Sequence, residues 1–228
     1  DHLAGLMELE PERVRFVHGS ILDDDAVADA TEDVRTIFHL AAIGSVPRSI
    51  EQPQRSWSVN ATGTVRILEA ARKLWARRSG PGSHERVVFA ASSSAYGDDP
   101  ALPKAETQLP RPLSPYAASK LAGEQALAAW SRSYGLGAVS LRYFNVFGPR
   151  QPADSAYAAV IAAFAKRLLA GEAPTIFGDG LQSRDFTSVT NAVLATLLAG
   201  ASDRPLSGEV INVGTGKRTT LRELARTM

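Results

Sequence analysis

The chain has no cysteine, which excludes disulfides, thiolate nucleophiles and zinc–cysteine sites. Its four histidines are scattered and make no metal-ligand pattern, so no metal is expected. Neither sign of charge prevails. Twenty-five basic against 24 acidic residues leave a net +1, with no basic block longer than a pair such as Arg77-Arg78. Nucleic-acid and membrane-surface partners therefore lack electrostatic support. No apolar run approaches membrane-spanning length and no signal-peptide pattern is visible, so a soluble cytoplasmic protein is the default expectation. At 228 residues the chain can bury a sizeable core, as one domain or as one large and one small lobe.

What is present is an alternation of short apolar runs with helical stretches. Val14 to Gly19, Val34 to Leu40, Arg86 to Ala91 and Ala138 to Phe144 read as strands. Between them, Asp23 to Ala30, Gln54 to Arg78 and the stretch after Pro115 read as helices, with Trp57, Val59, Val65, Leu68 and Leu74 as core contacts. Such alternation predicts an α/β fold with a doubly wound parallel sheet, and a ligand crevice at the strands' carboxyl ends. After Gly148 the elements shorten: a helix to Leu169, a turn at Gly178-Asp179-Gly180, a helix from Val189 and a strand at Val210 to Gly214. The expected division is a Rossmann-like domain over 1–148 and a smaller substrate lobe over 149–228, interleaved with the sheet near 186–198.

Ser92 to Lys120 carries the chemistry. Ser92-Ser93-Ser94-Ala95-Tyr96-Gly97 ends a buried strand, and Tyr116-Ala117-Ala118-Ser119-Lys120 opens a helix behind Ser114-Pro115. Tyr116 and Lys120 share a helical face, so an ammonium sits beside a phenol and favours its anion. The tyrosine–lysine spacing alone is common; a serine-rich strand end upstream makes it an acid/base site.

Together with His39-Leu40-Ala41-Ala42, Gly44 to Ser49, Asn60 to Thr64, Leu141 to Gly148, Gly178-Asp179-Gly180 and Arg184-Asp185-Phe186, the chain resembles the extended short-chain dehydrogenase/reductase (NAD-dependent epimerase/dehydratase) family. Within it, the bacterial UDP-N-acetylglucosamine 4-epimerases of polysaccharide biosynthesis are nearest. The resemblance implies NAD as cofactor and a UDP-sugar as substrate. It places Ser20 and Ile21 near the adenine, and Leu40, Ala41 and Ala42 along the diphosphate and ribose. Asn60 braces the sheet, and Phe144 meets the nicotinamide with Tyr116 and Lys120. Asp1 is either the ribose-binding acid or a solvated terminal residue. On the substrate side it implies Gly44 and Ser45 at the sugar and Asn145 at a phosphate. Ala158, Ala159, Ile176 and Phe177 would flank the uracil, and Arg184 would hold the diphosphate. It also implies a homodimer built on the helices at 54–78 and 115–134.

The family's Gly-rich phosphate turn has no counterpart, and the chain opens without a methionine, so a fragment with an incomplete cofactor site is expected. The implied reaction is 4-epimerisation: Tyr116 takes the 4-hydroxyl proton, Lys120 lowers its pKa, and Ser92, helped by Ser93, bonds the 4-oxygen. A 4,6-dehydratase or decarboxylase is the sister reading. Dehydratases of the family carry Asp-Glu where this chain has Ser93-Ser94-Ala95, which counts against elimination. A non-catalytic nucleotide-binding relative is the other alternative, opposed by the presence of Ser92, Tyr116 and Lys120 together.

Overall fold

The structure, a computed structural model, describes residues 2–76, 85–153 and 159–228; Asp1 and Ala158 lie outside them. The chain runs α1 (His2–Leu9), α2 (Asp24–Thr31), β1 (Thr36–His39), α3 (Val46–Glu51), α4 (Pro53–Trp57) and α5 (Gly63–Trp75), then β2 (Arg86–Ser92), α6 (Pro115–Tyr134), β3 (Ala138–Tyr143) and β4 (Asn145–Phe147). It continues with α7 (Val160–Leu169), β5 (Ser183–Arg184), β6 (Phe186–Ser188), α8 (Val189–Ala201), β7 (Glu209–Val213), β8 (Thr219–Thr220) and α9 (Leu221–Thr227). A π-helical turn, Ser58–Thr62, joins α4 to α5, and a 3-10 turn, Ser93–Tyr96, follows β2.

The main sheet has the order β1-β2-β3-β7 and every pairing in it is parallel. Pleating sends alternate residues of β2 to opposite faces. Val87, Phe89 and Ala91 enter one core with Leu68, Ala71 and Trp75 of α5 and Leu127 of α6. Val88 enters the other with Val139, Leu141 and Val213, under Ala195 and Ala199 of α8. Helices thus cover both faces, which is the doubly wound architecture. Phe89 and Leu68 are wholly buried, and each such side chain contributes roughly 1.5–3 kcal/mol.

Several expectations are corrected. Residues 14–19 form no ladder, because no described strand lies beside them; a strand exists only by pairing. His2 to Leu9 is helical, in keeping with its three leucines and its methionine, all good helix formers. The long helix from Gln54 is broken by the π turn, and its inward face is Ile67, Leu68, Ala71 and Trp75, while Trp57 is 46% exposed. β7 is not part of a separate lobe: it pairs with β3 and closes one side of the main sheet. Outside that sheet, β4 pairs with β6 and β5 with β8.

Candidate active site

In-register parallel strands end together. Ser92 pairs with Tyr143 and Tyr143 with Val213, so the segments after β1, β2, β3 and β7 open on one edge. Ser92 stands there because β2 stops at it and turns at once. Its Oγ accepts hydrogen bonds from the Ser94 N–H (3.2 Å) and the Ser94 hydroxyl (2.8 Å). With both lone pairs engaged, Ser92 has only its proton to offer.

α6 brings the tyrosine and lysine. Ser114 caps it by accepting from the Ala117 N–H at 3.1 Å, and Pro115 occupies the first turn. The Tyr116 N–H, one of the donors a helix start leaves over, is taken at 3.0 Å by Ser49 of α3. Gly123 lets α6 sink onto β2: a β-carbon there would stand 2.6 Å from the Phe89 ring. The Lys120 ammonium consequently lies 4.7 Å from the centre of that ring.

Burial pushes the Tyr116 phenol's pKa up, and the neighbouring Ser92 hydroxyl opposes it. Burial lowers Lys120 to about 8, with the Glu124 carboxylate one turn on acting against the fall. Lys120 is therefore still a cation at neutral pH, although only 3% exposed.

Asn60 sits in the π turn, a local widening that recurs at functional sites. Its Oδ1 accepts from the Ile43 N–H at 2.7 Å, while its Nδ2 donates to the Ile43 carbonyl (3.2 Å) and to Ser119 Oγ (3.1 Å). The Ser119 hydroxyl donates at 2.8 Å to the Tyr116 carbonyl. One amide thus ties the exit of β1 to the helix of Tyr116 and Lys120. Beneath it, Thr64 Oγ1 donates to the Asn60 carbonyl at 2.6 Å, so the 2.8 Å contact from His39 Nε2 makes that nitrogen the protonated one. Burial first and Lys120 second lower His39 to about 4.

The other expected residues are distributed around this centre. Leu40 and Ala41 are exposed and Ala42 half-buried where β1 gives out. A β-carbon on Gly44 would meet nothing, whereas Ser45 Oγ already caps α3 by accepting from the Arg48 N–H. Ser20 Oγ accepts from the Leu22 N–H, and Ile21 packs against Gly63 at the head of α5. Phe144 tilts against Tyr96 with ring centres 6.4 Å apart. Asn145 is carried by β4, whose N–H reaches the Asp185 carbonyl next to Arg184. Arg184 and Ala159 are exposed, Ile176 is half-buried and Phe177 is 82% exposed. No hydrogen bond among the described residues links these four to Tyr116.

Reading the sequence missed Ser94, which bonds Ser92 where Ser93 had been chosen, and also Ser49, Ser119, Glu124 and Arg142. Ser119 and Glu124 share the Tyr116–Lys120 stripe of α6, so helical spacing could have found them. Ser49, on α3, and Ser94, in the turn after β2, act through contacts that helical spacing does not reveal. The turn Asn212 to Gly216 is the remaining Gly-rich strand exit, and the Asp185 carboxylate fills it, accepting from the N–H groups of Thr215 (2.8 Å) and Gly216 (2.7 Å). It cannot also serve a dinucleotide's phosphates.

The model of the NAD dependent epimerase/dehydratase family matches residues 3–214. The chain belongs to that family. It is 40% identical over 215 residues to the UDP-glucose 4-epimerase of Mycolicibacterium smegmatis, covering 93% of this chain and 65% of that protein. It is 37% identical over 214 residues to a putative UDP-glucose 4-epimerase of Methanocaldococcus jannaschii, covering 93% and 66%. The solved UDP-N-acetylglucosamine 4-epimerase of Methanobrevibacter ruminantium, in complex with UDP-N-acetylmuramic acid, superposes with a TM-score of 0.82 at 40% identity, over 91% of this chain and 63% of its own. The chain thus spans about two thirds of the length of these relatives. Other family members carry decarboxylase and dehydratase names.

NAD is the cofactor of this family. The residues present suit it on one structural observation: the Lys120 ammonium is buried at the strand ends with no hydrogen bond to any described residue. A donor so placed suits a ribose hydroxyl beside Tyr116.

Proposed function

We propose that this family member is a UDP-hexose 4-epimerase acting through a 4-keto sugar. The observation that carries the proposal is the placement of Tyr116 and the buried Lys120 cation one helical turn apart on α6, at the strand ends where Ser92 closes β2. When bound, NAD supplies a two-electron acceptor and donor for C4 of the sugar. Tyr116 is the group that takes the 4-hydroxyl proton and later returns it. Ser92, able only to donate, bonds the 4-oxygen as it gains carbonyl and then alkoxide character. Lys120 holds the positive charge that favours the Tyr116 anion.

NAD would be held by Lys120, Tyr116, Phe144 and the small residues Ala41 and Ala42, with Leu40, Ser20 and Ile21 toward the adenine end. Asn60 acts on this site by fixing Ile43. Arg184 and Asn145 would hold the substrate's diphosphate, Ile176, Phe177 and Ala159 its uracil, and Gly44 and Ser45 its sugar. The protein would work as a cytoplasmic homodimer in the assembly of surface polysaccharide.

Dehydration and decarboxylation are the competing family reactions. Elimination needs a second acid/base pair. The turn after Ser92 offers only Ser93, Ser94 and Ala95, and the one buried carboxylate nearby, Glu124, is engaged by Arg142. Incubation with UDP-glucose, UDP-N-acetylglucosamine and UDP-glucuronate, followed by NMR of the products, tests the proposal. The galacto epimer is expected; a 4-keto-6-deoxy sugar or a pentose would replace the reading with a dehydratase or a decarboxylase.

A further inference from the structure

Behind Lys120 lies an ion pair that the proton-transfer scheme leaves unused. Glu124, one turn further along α6, is 1% exposed, and Arg142 of β3 is 2% exposed. Arg142 Nε donates to Glu124 Oε1 at 2.9 Å and Nη2 to Oε2 at 2.7 Å, so the fork meets the carboxylate with both prongs. The guanidinium carbon also stands 4.6 Å from the centre of the Tyr96 ring, and the Tyr96 hydroxyl donates to Asn212 Oδ1 at 2.7 Å. Tyr96 closes the turn that begins at Ser92, and Asn212 belongs to β7. One buried pair therefore spans the helix of Tyr116 and Lys120, the turn of Ser92, and two strands of the sheet. Pairs buried to this degree are seldom a net source of stability, since desolvation of both ions offsets their attraction.

We propose that Glu124 and Arg142 are positioning residues of the active site: together they hold the helix of Tyr116 and Lys120 against the turn of Ser92, and Glu124, one turn from Lys120, is that ammonium's counter-charge, shared with Arg142. The consequence for turnover rests on the epimerase reading; the control of Lys120 does not. Among the described residues, the titratable or charged groups gathered around Lys120 are few. They are Glu124 and Tyr116 on its own helix and His39 on β1, with Arg142 of β3 behind Glu124. Arg86, the other buried cation, stands at the far end of β2. His39 is neutral above pH 6 and Arg142 faces Glu124, so the Glu124 carboxylate is the one anion holding the lysine's proton in place. Removing that carboxylate takes away the lysine's counter-charge and leaves the Arg142 guanidinium behind it unbalanced. Removing Arg142 leaves the whole carboxylate charge to Lys120. The two changes must therefore act in opposite directions.

The experiment is a lysine-selective NMR titration of the full chain, whose five lysines make the spectrum assignable with Lys120→Arg. Lys120 is expected to titrate near 8 in the unaltered chain. In Glu124→Gln the midpoint should fall by roughly one pH unit or more, and in Arg142→Gln it should rise by a comparable amount. The alkaline limb of the turnover profile should move the same way in each. If one single variant fails to fold, the other is compared with the double variant Glu124→Gln with Arg142→Gln, whose midpoint should lie above that of Glu124→Gln and below that of Arg142→Gln; the reverse order overturns the proposal. Midpoints that do not move, or that move in the same direction in both single variants, overturn it. Opposite shifts without turnover on any UDP-hexose would uphold the control of Lys120 and remove the epimerase reading instead.

Discussion

Ser94 donates two hydrogen bonds to Ser92, and this makes Ser92 an obligate donor. Ser92→Ala should lower kcat by about 10²–10³, the usual cost of one oxyanion donor, with little change in substrate binding. Ser94→Ala frees a lone pair on Ser92 without removing its proton, so a loss of roughly tenfold or less is expected. Steady-state kinetics on both variants decides the order; equal losses, or a larger one at Ser94, would show that Ser92 is not the donor.

Tyr116→Phe keeps the ring against its neighbours and removes the acid/base group. Turnover should drop by roughly 10²–10⁴-fold while NAD, measured by fluorescence or calorimetry, binds as before. A variant with near-normal rate would sink the assignment of Tyr116 as base.

Arg184 is exposed and, among the described residues, its side chain bonds only the neighbouring Ser183 carbonyl, so its removal should leave stability unchanged. Hydrogen bonds to charged groups contribute about 1.5–3 kcal/mol, and Arg184→Ala should weaken UDP binding by roughly 10- to 150-fold. An unchanged dissociation constant for UDP takes Arg184 out of the diphosphate site.

His39 ties acid stability to the site's foundation. Its folded pKa, lowered to about 4, lies below the ordinary 6.5, so the unfolded chain binds the proton first as pH falls. Stability from this group is complete above 6.5 and lost progressively toward 4, up to roughly 3 kcal/mol. His39→Gln, which keeps a donor for Thr64 but does not titrate, should flatten the fall of Tm over that window. Identical Tm slopes in both proteins would exclude His39 as the cause.

A homodimer through α5 and α6 would bury the aromatic patch where Trp130 and Tyr134 meet edge to face, with Arg72 5.1 Å from the centre of the Tyr134 ring. Sedimentation should give twice the chain mass, and Tyr134→Glu should shift it toward the monomer. A monomer at micromolar concentration ends this proposal.

Much of the site could be read from the sequence because it rests on local rules. A strand that ends in serines, a proline-capped helix start and a tyrosine one turn before a lysine are all written within a few residues of one another. The sheet order and the roles of distant residues are different. Strand 14–19 fails for want of a described neighbour, and β7 joins the main sheet because β3 offers it an edge. Asn60 is legible as a polar residue in a helix, but its three partners come from Ile43 and Ser119.

The sequence by itself determined the alternation of strands and helices, the helical face shared by Tyr116 and Lys120, and the lack of a carboxylate at Ser93, Ser94 and Ala95, since each depends on spacing along the chain. The tertiary structure alone decided the protonation of Lys120 and His39, the donor role of Ser92 and the partner of Glu124. Those depend on desolvation and on contacts between segments far apart in sequence, and energies of that kind exist only once the chain has packed.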